Sequence, residues 1–405
     1  MRSFVAVYVA ALAVLAALGL AGGVLLYRAY GPEGPAEAAA DGHAYDFLSW
    51  EVEHFPRKWI YKVRHLWDER SAAAEEEALQ NYFGLVTEIA GSGSDEQIRE
   101  AERERAAIEA DVEDIIEGRL TAILEVQGLA MEPPLFADLG LVFPPVDFEL
   151  DAPPRVLVVS PRDRIELQHS YLLEPGLGRD EFEAIEREAE SENGAETGIS
   201  AVVVGTGGVA TYPAVVSSSA AYEHVVDTAF HEWTHQYLAF YPLGRSYFAG
   251  SDLRTLNETA ANLAGSALAG EYFRRYPRLE AEATPAPTTE PTASPGPEFD
   301  FTTEMRELRR RVEELLGRGE VTEAEALMET KRLELAGHGY VIRKLNQAYF
   351  AFHGSYADTP GSIDPIGPKM QTLLEEAGSP GAFVRLAAGI TSRAELDRVL
   401  AEAEG

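Results

Sequence analysis

The sequence predicts an α+β fold, with a small mixed sheet and a larger number of helices. Short runs of β-branched residues bounded by glycine and proline, all between residues 151 and 217, are typical of strands. Long stretches on either side carry the charge patterning of exposed helices, as in Glu96–Glu117. A separate N-terminal segment is apolar along its whole length and indicates an additional transmembrane helix.

The first predicted element is a membrane anchor in residues 1–28. Phe4–Tyr27 contains 24 uncharged and mostly apolar residues, enough for a helix that crosses a hydrocarbon core of ~30 Å. Because this run exceeds the roughly 7–15 apolar residues of a cleavable signal, an uncleaved single-span anchor is favoured over a signal peptide. Arg2 precedes the run, and acidic residues follow soon after Arg28. We therefore expect a cell-membrane protein whose remaining chain lies on the extracytoplasmic side.

The next two segments connect the anchor to the core. Residues 29–44 are rich in glycine, proline and alanine and are predicted to be a tether. Residues 45–150 are predicted to be mostly helical. They include the cationic stretch Arg57–Arg64, which has tryptophans nearby at positions 50, 59 and 67. An amphipathic helix packed on the domain is favoured here over a helix that lies on the membrane surface.

Residues 151–280 form the predicted core. Its expected strands are Arg155–Ser160, Ile165–Leu173, Gly198–Val204 and Val209–Val216. The glycine-rich run Gly205–Ala210 superficially fits a dinucleotide-binding fingerprint, but that fingerprint must open a helix. Since a proline and further extended residues follow, we interpret the run as a connection between strands.

The chain beyond the core is predicted to be a linker followed by helices. Residues 281–298 are a Pro/Thr-rich low-complexity segment, typical of a disordered linker. Residues 299–405 are predicted to be helical. The expected helices there are Glu304–Leu316, Glu320–Leu335 and Tyr340–Phe352, with a break at Gly317–Gly319.

Composition excludes several classes of partner and chemistry. The chain has 67 acidic and 34 basic residues and a net charge of −33, so nucleic acid is not an expected partner. Membrane lipid is expected as a partner only through the N-terminal helix. The absence of cysteine excludes thiolate ligands, a thiol nucleophile and disulfides. The chain also lacks the Gly-x-Ser-x-Gly motif of serine hydrolases.

The pentapeptide His231-Glu232-Trp233-Thr234-His235 is the strongest chemical signal in the chain. Histidines at i and i+4 lie on one face of a helix, where both imidazoles can reach one metal ion. The glutamate between them projects close enough to act on a water molecule at that ion. A surface helix that carries two histidines by accident is the less favoured interpretation.

A second motif, Asn257-Glu258-Thr259-Ala260-Ala261-Asn262, lies downstream. With it the chain resembles the gluzincin zinc metallopeptidases, in which a glutamate on a second helix completes a His, His, Glu site. Asn257, Glu258 and Ala261 match their Asn-Glu-x-x-Ala pattern. The resemblance implies a zincin-like core with Zn²⁺ as cofactor, held by His231, His235 and Glu258.

Two further features of the sequence agree with this resemblance. The segment Leu253–Phe273 is rich in small residues, which let a helix lie close to the first one, as Glu258 requires. Asn262, one turn after Glu258, is a candidate partner for a ligand. The longer metzincin motif is absent, because Leu238 and Tyr241 occupy the positions that require glycine and histidine.

The resemblance also implies an activity, hydrolysis of a peptide or protein substrate with Glu232 as general base. Gluzincins stabilise the oxyanion with a C-terminal tyrosine or histidine, so Tyr356 and His353 are candidates, with core packing or capping as the alternative for each. The segment Val209–Ser217 is the expected edge for an extended substrate. A catalytically silent, metal-stabilised sensor or assembly module in the membrane is the competing class, and Glu232 argues against it.

Overall fold

The computed structural model describes residue 34 and residues 36–64, 70–131, 141–192, 198–279 and 299–403. The fold in these ranges is α+β, as predicted. None of the helices described there is long and apolar enough to cross a bilayer. The predicted span Phe4–Tyr27 and the whole of the predicted linker 281–298 lie outside the described residues.

The described helices occur in three groups along the chain. Those before the strands are α1 (Glu37–Ala40), α2 (Phe47–Arg64), α3 (Ala72–Gly91) and α4 (Asp95–Val126). Those among and directly after the strands are α5 (Arg179–Glu192), α6 (Tyr222–Leu238), the short α7 (Pro242–Arg245) and α8 (Ser251–Arg275). The C-terminal helices are α9 (Phe301–Gly317), α10 (Val321–Gly337), α11 (Gln347–His353), α12 (Ile366–Glu376), α13 (Pro380–Ala388) and α14 (Arg393–Ala403).

The strands form two three-stranded sheets and one small ribbon in the described residues. They are β1 (Ala130–Met131), β2 (Leu141–Val142), β3 (Phe148–Asp151), β4 (Arg155–Pro161), β5 (His169–Leu173), β6 (Ile199–Gly205), β7 (Gly208–Val209) and β8 (Ala214–Ser217). The antiparallel sheet has the order β5-β4-β6, and the mixed sheet has the order β3-β8-β7. Because β6 leads into β7 through two residues, the predicted strand connection at Gly205–Ala210 is confirmed.

Two predicted strands are shorter than expected. The strand predicted for Ile165–Leu173 begins only at His169. The strand predicted for Val209–Val216 is broken between β7 and β8. Pro213 lies in this gap and has no N–H to donate to a neighbouring strand. Its backbone carbonyl accepts a hydrogen bond from the hydroxyl of Thr211.

The predicted tether extends too far into the domain. Ala36, Ala39 and Ala40 are buried against the antiparallel sheet, and the backbone N–H of Ala36 donates to the hydroxyl of Tyr171 at 3.2 Å. Three alanines on one short helix give a flat apolar face that can pack closely on strands. Residues 36–44 therefore belong to the domain, and the rest of the predicted tether, except Gly34, lies outside the described residues.

Helix α2 packs on the domain, as favoured from its sequence. The indole N–H of Trp50 donates to Asp151 at 2.6 Å, at the end of β3. The Lys58 ammonium is buried and lies 2.9 Å from Glu113 and 3.0 Å from Glu117, both on α4. Burial alone would lower the pKa of Lys58, but the surrounding carboxylates raise it well above its usual value. The carboxylates of α4 thus hold α2 against the edge of β3.

Replacing Lys58 with methionine should lower the free energy of unfolding by about 3–5 kcal/mol, because buried carboxylates lose their cation. Arg57→Met is the matched control, since the neighbouring Arg57 side chain is 73% exposed. The control should change stability by less than about 0.5 kcal/mol. Urea unfolding of both variants measures the difference, and equal midpoints would contradict the buried charge network.

The C-terminal region is helical, with one predicted helix shortened. Helices α9 and α10 appear where predicted, separated by a turn in which Gly319 has a φ of +77°. The helix predicted for Tyr340–Phe352 starts only at Gln347. Asn346 caps it by accepting from the N–H of Tyr349 at 2.9 Å, and its amide also donates to the carbonyl of Ala201 at 2.9 Å. The polar contacts of the preceding residues with β6 and α5 keep them out of the helix.

Candidate metal centre

Helix α6 presents both histidines of the pentapeptide to one cavity. The Nε2 atoms of His231 and His235 are 3.0 Å apart. The opposite face of the helix is fixed in the core by Phe230 and Trp233, both nearly fully buried. The indole N–H of Trp233 also donates to the carbonyl of Pro144 at 2.8 Å. The imidazoles are therefore held by a helix whose position and rotation are set by packing.

Helix α8 brings Glu258 to the same point. Its Oε2 lies 3.4 Å from Nε2 of His235 and 3.9 Å from Nε2 of His231. The close approach depends on Gly265, where an added Cβ would lie 3.0 Å from the carbonyl oxygen of Asp227 and 3.2 Å from Cβ of His231. The small residues of α8 thus allow the two helices to pack as closely as the sequence predicted.

The three donor atoms fit one metal ion. A circle through points separated by 3.0, 3.4 and 3.9 Å has a radius of about 2.0 Å, which matches Zn–N and Zn–O bond lengths. Two imidazole nitrogens and a carboxylate oxygen are also a common donor set for catalytic zinc. Such a set leaves a fourth position for water or substrate.

Glu232 is a geometric alternative to Glu258 as the third ligand. One oxygen of its carboxylate lies within 4.8 Å of ring nitrogens of both histidines. Burial raises the pKa of Glu232 to about 8. Burial would also raise the pKa of Glu258, but the neighbouring His235 charge and hydrogen bond outweigh it and lower that pKa to about 2. Since a carboxylate ligand must be ionised, Glu258 is the better donor.

The two histidines have opposite protonation tendencies in this arrangement. Burial lowers the pKa of His231 to about 3, so its ring is neutral. Burial would also lower the pKa of His235, but the adjacent Glu258 charge more than compensates and raises it to about 9. Without an ion, a proton on His235 neutralises Glu258. A divalent cation at the same point would replace that proton.

Two side chains around the donors orient them. Nδ1 of His235 donates to Oδ1 of Asn257 at 2.7 Å, because an amide oxygen can only accept. This contact leaves the lone pair of Nε2 free for a metal. The hydroxyl of Tyr247 donates to Oε1 of Glu258, which turns Oε2 toward the histidines. Asn262, the partner expected from the sequence, donates instead to Asp358.

Removing the amide of Asn257 should therefore weaken metal binding. Asn257→Ala is expected to lower zinc affinity by about 10–100-fold, since the His235 ring loses the acceptor that fixes its orientation. Asn262→Ala is the matched control, one turn and a half further along α8, and should retain zinc affinity within a few fold. Competition with a chromophoric chelator measures both values. Equal affinity in the two variants would show that Asn257 does not orient the ligand.

Glu232 lies between the metal donors and the glycine-rich connection. An added Cβ on Gly208 would lie 2.8 Å from Oε1 of Glu232 and 2.6 Å from the carbonyl oxygen of Val215. Glycine at position 208 thus lets the β7 backbone come close to the carboxylate. This placement puts Glu232 at the junction of the metal donors and a strand edge.

The two predicted oxyanion donors line the same cavity, from the C-terminal region. The Tyr356 ring centre lies 6.3 Å from that of His231. The loop carrying Tyr356 is attached to α8, where the hydroxyl of Thr259 accepts from the N–H of Ala357 at 2.9 Å. His353 packs on Tyr349, with ring centres 4.2 Å apart, and burial lowers its pKa to about 4. The role of both residues as oxyanion donors stays a prediction.

The cavity has a volume of about 550 Å³ and is open to solvent. Residues from both sheets, α6, α8 and the C-terminal loop line it. Among the lining residues that were not predicted from the sequence are Tyr247, from the segment between α6 and α8, and Asp227, one turn before His231. The only sequence signal for Tyr247 is an aromatic pair, Tyr247-Phe248, in a short connection between the two motif helices.

No family model matches the chain, and comparison with curated proteins and with solved structures found no match. The resemblance to gluzincins therefore depends on the two motifs and on the geometry of the residues within them.

Proposed function

We propose that the protein is a zinc metallopeptidase of gluzincin type, with a zincin-like core formed by the mixed sheet and helices α6 and α8. The observation that carries the proposal is the convergence of three donor atoms on one point, with the Glu232 carboxylate beside it. His231, His235 and Glu258 would hold the ion. A site with only a structural role would have no need of an additional buried carboxylate at that point.

The chain's own residues account for the proton transfers. When bound, zinc would lower the pKa of a water molecule and polarise the carbonyl of the substrate. Glu232 accepts the proton of the attacking water and delivers it to the departing amine. The carboxylate is placed for this task, because one of its oxygens lies within 4.8 Å of ring nitrogens of both histidines that would hold the ion.

Two further groups would act on the substrate carbonyl and backbone. Tyr356, or His353 in its place, would donate to the oxyanion, a contribution of about 2.7–4 kcal/mol for a well-placed donor. The β7 edge and the following residues line the cavity beside Glu232. A substrate in extended conformation would pair with this edge by strand addition. Of the expected edge Val209–Ser217, only the part in β7 lies at the edge of the sheet, because β8 is the central strand.

The proposed location is the cell membrane, with Phe4–Tyr27 as a single span and the hydrolytic domain on the extracytoplasmic side. The length and apolar character of that run support the anchor. The acidic residues after Arg28 support the orientation. Retention of the protein in the membrane fraction after an alkaline wash tests the anchor. Protection of residues 281–298 from protease in intact spheroplasts would instead place the hydrolytic domain on the cytoplasmic side.

Cleavage of a proteome-derived peptide pool by the full chain in detergent tests the proposed activity. Products should appear with the zinc-loaded protein and disappear with the Glu232→Gln variant purified in the same way. Zinc binding without any cleavage would instead support the competing class, a metal-stabilised sensor or assembly module in the membrane.

A further inference from the structure

The cavity extends along α6 on both sides of the metal donors. Asp227 lies one turn before His231, about 6 Å along the helix axis. In the other direction the aromatic rings of Phe240 and Phe248 line the cavity beyond the C-terminal end of α6. The two ends of the cavity therefore differ in chemistry. One end has a carboxylate and the other has aromatic rings.

Asp227 has no lysine or arginine side chain as a partner in the described part of the chain. Its carboxylate is half-buried, hydrogen-bonds Ser266, and takes part in no ion pair within 4.0 Å among the described ranges. Asp252, by contrast, pairs with Arg393 at 2.7 Å. Burial raises the pKa of Asp227 above its usual value, although the hydrogen bond with Ser266 and the nearby His224 act in the opposite direction. An ammonium or guanidinium group brought into the cavity would supply the charge that this carboxylate lacks.

Apart from the proposed metal-binding histidines, the described lining of the cavity also has no cationic side chain. None of its lining residues in the described ranges is a lysine or an arginine. A substrate carboxylate would therefore find no cationic side chain there, which disfavours recognition of a C-terminal carboxylate or of an acidic side chain. The net charge of −33 acts in the same direction, because it attracts cationic peptides and repels acidic ones.

We propose that Asp227 is a specificity-determining residue that binds a lysine or arginine side chain of the substrate, while the aromatic end of the cavity accepts an apolar residue across the scissile bond. This inference depends on the proposed peptidase function and names its substrate class. The substrate is an internal segment of a cationic peptide, cleaved near a basic residue.

Peptide binding to the Glu232→Gln variant tests the inference without turnover. The probes are fluorescent alanine-rich peptides that carry lysine, norleucine or glutamate at one position, moved stepwise along the chain. At one position, lysine should bind on the order of 10–100-fold more tightly than norleucine, as for a hydrogen bond between charged groups. Glutamate should bind more weakly than norleucine.

Two second-site variants assign the preference to Asp227. Adding Asp227→Asn should reduce the ratio of lysine to norleucine affinity to within about threefold of unity. Adding Asp227→Glu, which keeps the charge, should retain most of it. Glu223→Gln is the matched control, because it removes one charge from the same helix outside the cavity lining. The control should leave the ratio unchanged.

The outcomes separate the two proposals. Equal binding of lysine and norleucine peptides at every position overturns the Asp227 inference, even if the zinc-loaded protein cleaves them. A preference that survives Asp227→Asn in folded protein also overturns it. A lysine preference that depends on Asp227, combined with no cleavage by the zinc-loaded protein, overturns the peptidase function and leaves a binding site for cationic peptides.

Discussion

Replacing Glu232 with glutamine is expected to lower peptide hydrolysis by about 10²–10⁴-fold, the range for loss of a general acid/base. Glutamine keeps the size of the side chain but cannot accept and return the proton. Zinc content and the unfolding temperature should remain close to those of the unsubstituted protein, since Glu258 and not Glu232 is the proposed ligand. Initial rates on one cleaved peptide, with metal analysis of the same samples, measure both effects.

Glu223→Gln is the control for loss of one carboxylate from α6, and it should keep full activity. Loss of zinc together with activity in Glu232→Gln would point to the alternative donor set of His231, Glu232 and His235, whose atoms lie within 4.8 Å of one another. Full activity in Glu232→Gln would contradict the proposed mechanism.

Alanine at His231, His235 or Glu258 is expected to remove most of the bound zinc. Each substitution deletes one of three donors, so the loss in affinity should exceed the 10–100-fold expected for Asn257→Ala. Activity should fall in parallel, because no ion remains to polarise the carbonyl. Zinc stoichiometry after gel filtration in buffer without added metal measures the effect.

His224→Ala is the matched control for these variants. His224 lies on the same helix but is exposed and does not line the cavity. It should retain close to one zinc per chain. If Glu258→Ala keeps its zinc and His224→Ala loses it, the third ligand is His224 and not Glu258.

Local sequence patterns predicted the parts of the site that lie within single helices. The i, i+4 spacing of His231 and His235 places both imidazoles on one helix face. The small residues of α8 predicted the close helix packing that Gly265 allows. These features follow from helix periodicity and residue size, which a single sequence displays directly.

Contacts between distant segments could not be predicted in the same way. Asn257, and not Asn262, accepts from His235, because the rotation of α8 against α6 decides which amide is in reach. The Tyr247 hydroxyl meets Glu258 only because the connection between the helices folds back over the site. The buried position of Lys58 depends on carboxylates at least 55 residues away in sequence, among them Glu113 and Glu117.

Titration of metal-free protein with zinc is the most direct test of zinc-dependent hydrolysis at this site. The full chain is stripped with a chelator, dialysed, and assayed on one cleaved peptide after each addition of zinc. Hydrolysis should be absent at first and should rise linearly to a plateau at one zinc per chain, while Glu232→Gln binds the same amount and stays inactive. Undiminished hydrolysis in the stripped protein, or equal hydrolysis by Glu232→Gln at the plateau, would contradict a zinc peptidase at His231, His235 and Glu258.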